Sequence, residues 1–142
     1  MARVLVQNLN KIYDNNVHAV KDVNFEAEDK EFLVLVGPSG CGKSTVARLL
    51  VGLYEPTRGS LTFDNQDAHA VYKTPQSATL RRRIQMIFQD PYASLNPRWR
   101  VEDIVGEPLE EHGLISDPVR LRERVAELLR SVGMSALDGP KY

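Results

Sequence analysis

The chain has 142 residues, the length of one ordinary domain, with room for one hydrophobic core and not for two. Hydrophobic residues make up 42% and charged residues 26%, near soluble globular averages, which excludes a disordered chain, a collagen-like repeat and a coiled-coil rod. Eighteen Lys plus Arg against nineteen Asp plus Glu leave a formal charge of -1, so no bulk field draws the chain to nucleic acid or anionic lipid.

Taken in chain order, Val4, Val6 and Leu9 among polar neighbours read as a first strand. Ala19, Val23, Phe25 and Ala27 fall on one face of a second, interrupted by Lys21, and the pair suggests a half-exposed antiparallel sheet. Glu31 to Val36 is apolar on both faces, as expected of a central strand covered by helices on each side. Its apolar run, Phe32 to Val36, is far below the ~20 residues of a membrane span, so no direct membrane insertion is expected. A glycine-rich turn then opens a helix over Lys43 to Gly52, with Val46, Leu49, Leu50 and Leu53 at helical spacing. Glu55 to Ser60 is turn chemistry before a short strand at Leu61 to Phe63, and Asp64 to Pro75 reads as a polar surface loop. Ser77 to Arg83 forms a short helix and Ile84 to Phe88 another buried strand; the run Arg81-Arg82-Arg83 reads as a solvated face. Asp90 to Trp99 holds two prolines and no period, an irregular loop. Two helices follow, one with Val101, Ile104, Val105 and Leu109 inward, the other with Leu121, Val125, Leu128, Leu129 and Val132. Asp117 and Pro118 fit N-cap and N1 of the second, and Gly133 its stop.

The single cysteine, Cys41, excludes an internal disulfide, and with only the scattered His18, His69 and His112 beside it no Cys/His metal site is expected. A reducing, cytosolic setting fits best.

The chemistry is carried by Gly37-Pro38-Ser39-Gly40-Cys41-Gly42-Lys43-Ser44-Thr45, which matches G-x-x-x-x-G-K-[ST], the phosphate-binding loop. Glycines at 37, 40 and 42 let successive N–H groups turn inward around a phosphate, and the helix that follows aims its positive end at the same point. Lys43 supplies a full charge for the β and γ phosphates, Ser44 a hydroxyl ligand for Mg²⁺, and Thr45 a further phosphate donor. Cys41 at a helix N-terminus invites a redox reading, but it occupies a variable position of the loop and has no resolving partner.

From these residues the chain resembles the nucleotide-binding domain of ABC transporters, and the likeness runs over nearly its whole length. Tyr13 stands where the family places an aromatic that stacks on adenine, and Gly52-Leu53, Pro56 and Arg58-Gly59 resemble its turn after the first helix. Phe88-Gln89-Asp90 is similar to its Q-loop, whose glutamine contacts the metal or attacking water and reports nucleotide state to the membrane subunits. Gln89 to Arg98 and Glu107-Pro108-Leu109 look like dipeptide and oligopeptide importers, while the opening up to the phosphate loop looks closer to sugar importers. Lys30 departs from the glycine usual in the turn before the central strand. No segment matches the family's signature loop, its strand ending in Asp and Glu, or its switch histidine.

The resemblance therefore implies an α/β fold, a P-loop NTPase-like core with an N-terminal antiparallel β-subdomain, parallel strands around the loop and a C-terminal helical segment. Residues 1–142 would be the front portion of the domain, with the β-subdomain and core through the Q-loop over 1–100 and the start of the helical subdomain over 101–142. Its function would be ATP binding within the ATPase subunit of an importer, of peptides by preference. ATP and Mg²⁺ are the implied cofactors. Tyr13 would meet adenine, residues 37–45 the phosphates, Ser44 and Gln89 the metal, with Lys43 and Gln89 acting at the γ-phosphate. The implied partners are permease subunits, reached through the Q-loop and helical region, and a second nucleotide-binding domain, at the inner face of the cell membrane. By itself the chain should bind nucleotide weakly and hydrolyse it negligibly. Two other readings compete: a small P-loop ATPase or kinase taking its acidic metal ligand from Asp64, Asp67 or Asp90, and a stand-alone nucleotide-binding or interaction module.

Overall fold

The structure is a computed structural model that describes residues 2–90 and 94–141. Pro91, Tyr92 and Ala93, part of the importer-like loop, lie outside the described residues. The chain divides into two compact units, Met1–Met86 and Ile87–Tyr142.

In the first unit β1 (Val4–Ile12) pairs antiparallel with β2 (His18–Ala27) and with β3 (Arg58–Phe63), and β3 with the short β4 (Gln66–Asp67), in the order β2-β1-β3-β4. Both long strands change phase at a bulge. Asn8, at φ +48, adds a residue, so Val6 and Leu9, three apart, are both fully buried. Asp22, at φ +44, does the same in β2: Val20 is the buried residue before the shift, not the expected Ala19, and Val23 resumes the inner face after it. Asn10 ties the bulges together. Its amide donates to Asn8 O at 2.8 Å and Asp22 Oδ1 at 2.9 Å, while its own Oδ1 accepts from the Asp22 N–H at 3.2 Å, leaving a buried polar side chain fully partnered.

The helix α1 (Lys43–Leu50) lays Val46 and Leu49 onto Val6, Leu9, Val20 and Leu61. It stops two residues before the expected Gly52, which turns at φ +72, and Leu53 is consequently 51% exposed. The expected loop Asp64 to Pro75 is more structured than its polarity suggests. Asp64 and Asn65, at φ +47 and +62, make the two-residue hairpin between β3 and β4. The Asp67 side chain then caps α2 (Ala68–Tyr72), accepting from Ala70 N–H at 3.0 Å. The helix α3 (Ser77–Arg83) matches its expected span and buries Leu80. Two of its three arginines are not merely solvated: Arg81 lies over the Tyr72 ring, and Arg83 lies over Phe63 while pairing with Asp64. That pairing and the Arg3 N–H, the larger influence, hold the Asp64 carboxyl below the usual carboxylate range.

The second unit packs α4 (Val101–Glu111) on α5 (Pro118–Ser131), with a 3₁₀ turn at Ala136–Asp138. As expected, the Asp117 side chain caps α5 with Pro118 at its start, accepting from Val119 N–H at 2.8 Å, and Gly133 ends it at φ +80. Val125 and Leu129 are buried and Leu121 and Leu128 half-buried, but Val132 is 71% exposed because it lies past the helix end. The first-turn amides of α4 bond to Lys141 O at 2.8 Å and Gly139 O at 2.9 Å. Each unit thus buries its own apolar residues, where the length alone suggested a single core.

The expected parallel core strands do not form: all strand pairings among the described residues are antiparallel. Residues 31–36 and 84–88 enter no ladder, with Phe32 and Ile87 at least 90% exposed. A strand buried on both faces needs paired neighbours at each edge and cover above and below; these runs have no paired neighbour, and of 84–88 only Ile84 packs against the core.

Lys30 sits at φ +66 in the turn where Glu31 N–H bonds Glu28 O. Relief of left-handed strain less the added chain entropy of glycine predicts that Lys30→Gly stabilises the unit by about 0.5–1 kcal/mol, read as a higher urea midpoint at unchanged slope.

Candidate nucleotide-phosphate site

Residues 37–41 are exposed and turn directly into α1. Gly40 and Gly42 take φ +80 and +94, and the Cys41 N–H bonds Pro38 O at 3.3 Å to close the turn. The Lys43 ammonium curls back over it, donating to Gly37 O at 2.7 Å and Pro38 O at 2.8 Å, with Cys41 Sγ at 3.3 Å. At the start of α1 no side chain caps the helix and no acidic residue stands in the first turn. The helix therefore presents its positive end and a lysine at one place with no anion of its own. That arrangement suits a phosphate.

The sheet positions this loop. A Cβ on Gly42 would lie 2.3 Å from Ala19 O of β2, so the loop rests on that strand's backbone with nothing between. His18, Ala19, Val20, Gly40, Cys41 and Val46 line part of a cavity of about 330 Å³ beside it.

Tyr13 directly follows β1 and lies along α1. Its hydroxyl is 3.4 Å from Thr45 Oγ1, its ring meets Tyr54 edge to face at 6.0 Å and 90°, and Lys11 Nζ lies 5.6 Å from its centroid. The ring is half-buried. The sequence reading missed Tyr54, Lys11 and the Ala19 carbonyl. The only local hint was an aromatic in the turn that ends α1.

The remaining expected residues are less concentrated. Ser44 is exposed at the first turn. Gln89 is an exposed residue of the second unit, where the Ser94 hydroxyl donates to Asp90 O at 3.3 Å. Asp64 is engaged by Arg3 and Arg83, and Asp67 by its cap, so neither stands as a spare metal ligand. Among the described residues no cluster of three or more His, Cys, Asp or Glu can hold a metal ion, and no helix is long and apolar enough to cross a membrane.

A glycine turn opening a helix, with its lysine folded over the turn, defines the class of P-loop nucleotide-binding domains. The chain belongs to the ABC transporter family, whose model matches residues 20–141. It is 47% identical over 126 residues to the putative oligopeptide transport ATP-binding protein YkfD of Bacillus subtilis, covering 89% of this chain and 38% of that protein. The di/tripeptide transport ATP-binding protein DppF of Pseudomonas aeruginosa shares 47% over the same shares of each. The chain thus spans about two fifths of the length of these relatives. Among solved structures, the dimeric ATP-binding cassette MJ0796 bound to ADP and Pi superposes with a TM-score of 0.77 at 26% identity, over 96% of this chain and 60% of that one. The cbiO1 protein of Clostridium perfringens gives 0.72 at 28%, over 96% and 52%. The fold is that of an ABC ATPase domain, α/β with a P-loop core, an antiparallel β-subdomain and a helical segment, and domains of this family bind ATP.

Proposed function

We propose that the chain is the nucleotide-gripping part of the ATP-binding subunit of an importer for dipeptides or oligopeptides. The observation that carries the reading is the Lys43 ammonium folded over a glycine turn at the uncapped start of α1. The peptide preference rests on relatives named for oligopeptides and di/tripeptides, and it is favoured over the sugar-importer likeness of the opening.

In this reading residues 39–42 wrap the phosphates with backbone N–H groups, and the amides of Lys43, Ser44 and Thr45 add donors from α1. Lys43 exchanges its two carbonyl acceptors for phosphate oxygens, a stronger charge-assisted contact. Tyr13 offers its ring to the adenine, and Ser44 and Gln89 are the chain's metal-facing groups. Mg²⁺, when bound with ATP, neutralises phosphate charge. The permease subunits would be met through the Q-loop and the helical unit at the inner face of the membrane, and a second nucleotide-binding domain would complete the pair. The 142 residues are expected to bind rather than turn over ATP.

Lys43→Ala tests the reading. It should weaken binding of a fluorescent ATP analogue by about tenfold or more, since a hydrogen bond to a charged group contributes about 1.5–3 kcal/mol. Unchanged affinity with an unchanged melting curve would refute the assignment.

A further inference from the structure

The helix that begins at the phosphate loop also ends at Tyr13's neighbour. α1 spans eight residues, roughly 12 Å at 1.5 Å per residue. At its far end the Leu53 and Tyr54 N–H groups both bond Arg48 O, at 2.9 and 3.2 Å, which turns the chain back toward β1. Glu55 and Thr57, just beyond it, are fastened to the end of that strand. Lys11 Nζ donates to Glu55 O at 2.8 Å, Thr57 N–H bonds Asn10 O at 2.8 Å, and Ile12 N–H bonds Thr57 Oγ1 at 3.0 Å. Between these fastenings the Tyr54 ring stands perpendicular to Tyr13, with the Arg48 guanidinium 5.7 Å over its centroid.

We propose that Tyr54 is a positioning residue for the nucleotide base: with Lys11 and Arg48 it fixes the Tyr13 ring beside Thr45, so that one helix sets both the phosphate grip and the aromatic platform. The inference rests on the reading of Tyr13 as the adenine contact. Tyr13 is held by the perpendicular contact with Tyr54 and by Lys11 over its ring, while Arg48 holds Tyr54 in turn, and the Tyr13 hydroxyl at Thr45 Oγ1 joins the ring to the loop. Without Tyr54 the Tyr13 ring keeps its place in the chain and loses its wall, so base stacking must pay the ordering entropy at each binding event. The phosphate contacts do not change.

The test compares Mg·ATP with Mg·tripolyphosphate, which has the phosphates and no base, by calorimetric titration of the full 142-residue chain. Tyr54→Ala should weaken ATP by about three- to tenfold and leave tripolyphosphate within about twofold, and Tyr54→Phe should restore ATP affinity. Equal loss for both ligands, or no loss for ATP, overturns the proposal, the former marking Tyr54 as a general packing residue. Tyr13→Ala separates the two levels. If it leaves ATP affinity intact, the adenine reading itself fails; if it weakens ATP while Tyr54→Ala does not, only the positioning role fails.

Discussion

Leu49→Ala is expected to destabilise the first unit by about 3 kcal/mol, within the ~2–5 kcal/mol found for emptying a buried leucine site. Leu49 has no exposed surface and is the residue through which the last turn of α1 packs in the core, alongside Val46. The truncation loses transfer free energy and leaves a void, because β1 and β3 on the other side are tied by antiparallel ladders and cannot collapse into it. Against a total stability of roughly 5–15 kcal/mol, that is a large fraction. Urea unfolding should show a midpoint lower by on the order of 1–2 M. Leu53→Ala is the control: at 51% exposure it should cost less than about 1 kcal/mol. Equal effects at the two positions would mean that α1 extends through Leu53 after all.

Gly42→Ala should damage the site and the fold together. A non-glycine residue at φ +94 costs about 1–2 kcal/mol from the backbone alone. The added methyl would also lie 2.3 Å from a main-chain oxygen of β2, which cannot move without breaking its own strand. The loop must therefore lift off β2, taking the start of α1 with it. A total cost of about 3 kcal/mol or more is expected, with phosphate affinity lost even in molecules that remain folded. Gly40→Ala provides the comparison, for Gly40 has φ +80 but nothing within 4 Å of its hypothetical Cβ. It should show the backbone strain alone. Melting curves together with tripolyphosphate titration of both variants read the difference, and indistinguishable variants would show that contact with Ala19 does not seat the loop.

How legible each part was depends on how far its cause reaches along the chain. The phosphate loop is contiguous, and its glycines, lysine and helix start are local, so residues 37–45 could be assigned without knowing what surrounds them. The caps at Asp117 and Gly133 are equally local. The bulges lie at the boundary: Val6 and Leu9 were read three apart, but the second strand was read through Ala19 where Val20 is buried, and only a paired strand makes the extra residue meaningful. The short α2 was signalled by Asp67 alone, which a polar stretch disguises. Tyr54 could not be placed because its partner is 41 residues away and the contact exists only once α1 has turned back on β1. The runs 31–36 and 84–88 have the composition of buried strands, but burial and pairing are properties of neighbours, and composition does not supply them.

The exposed run Phe32–Val36 makes the isolated 142 residues vulnerable by a route separate from the strength of the sheet. Five consecutive apolar residues held in the open, even in the folded molecule, are what chaperone holdases capture and degradation machinery samples. Most domains present such a stretch only during rare unfolding, so their lifetime follows the unfolding equilibrium. Here the signal is displayed continuously. For the isolated 142 residues, mutations that stabilise the β1–β2–β3 sheet would therefore raise the melting temperature and leave holdase capture largely where it was, whereas whatever covers residues 32–36 would reduce that capture without adding to the sheet.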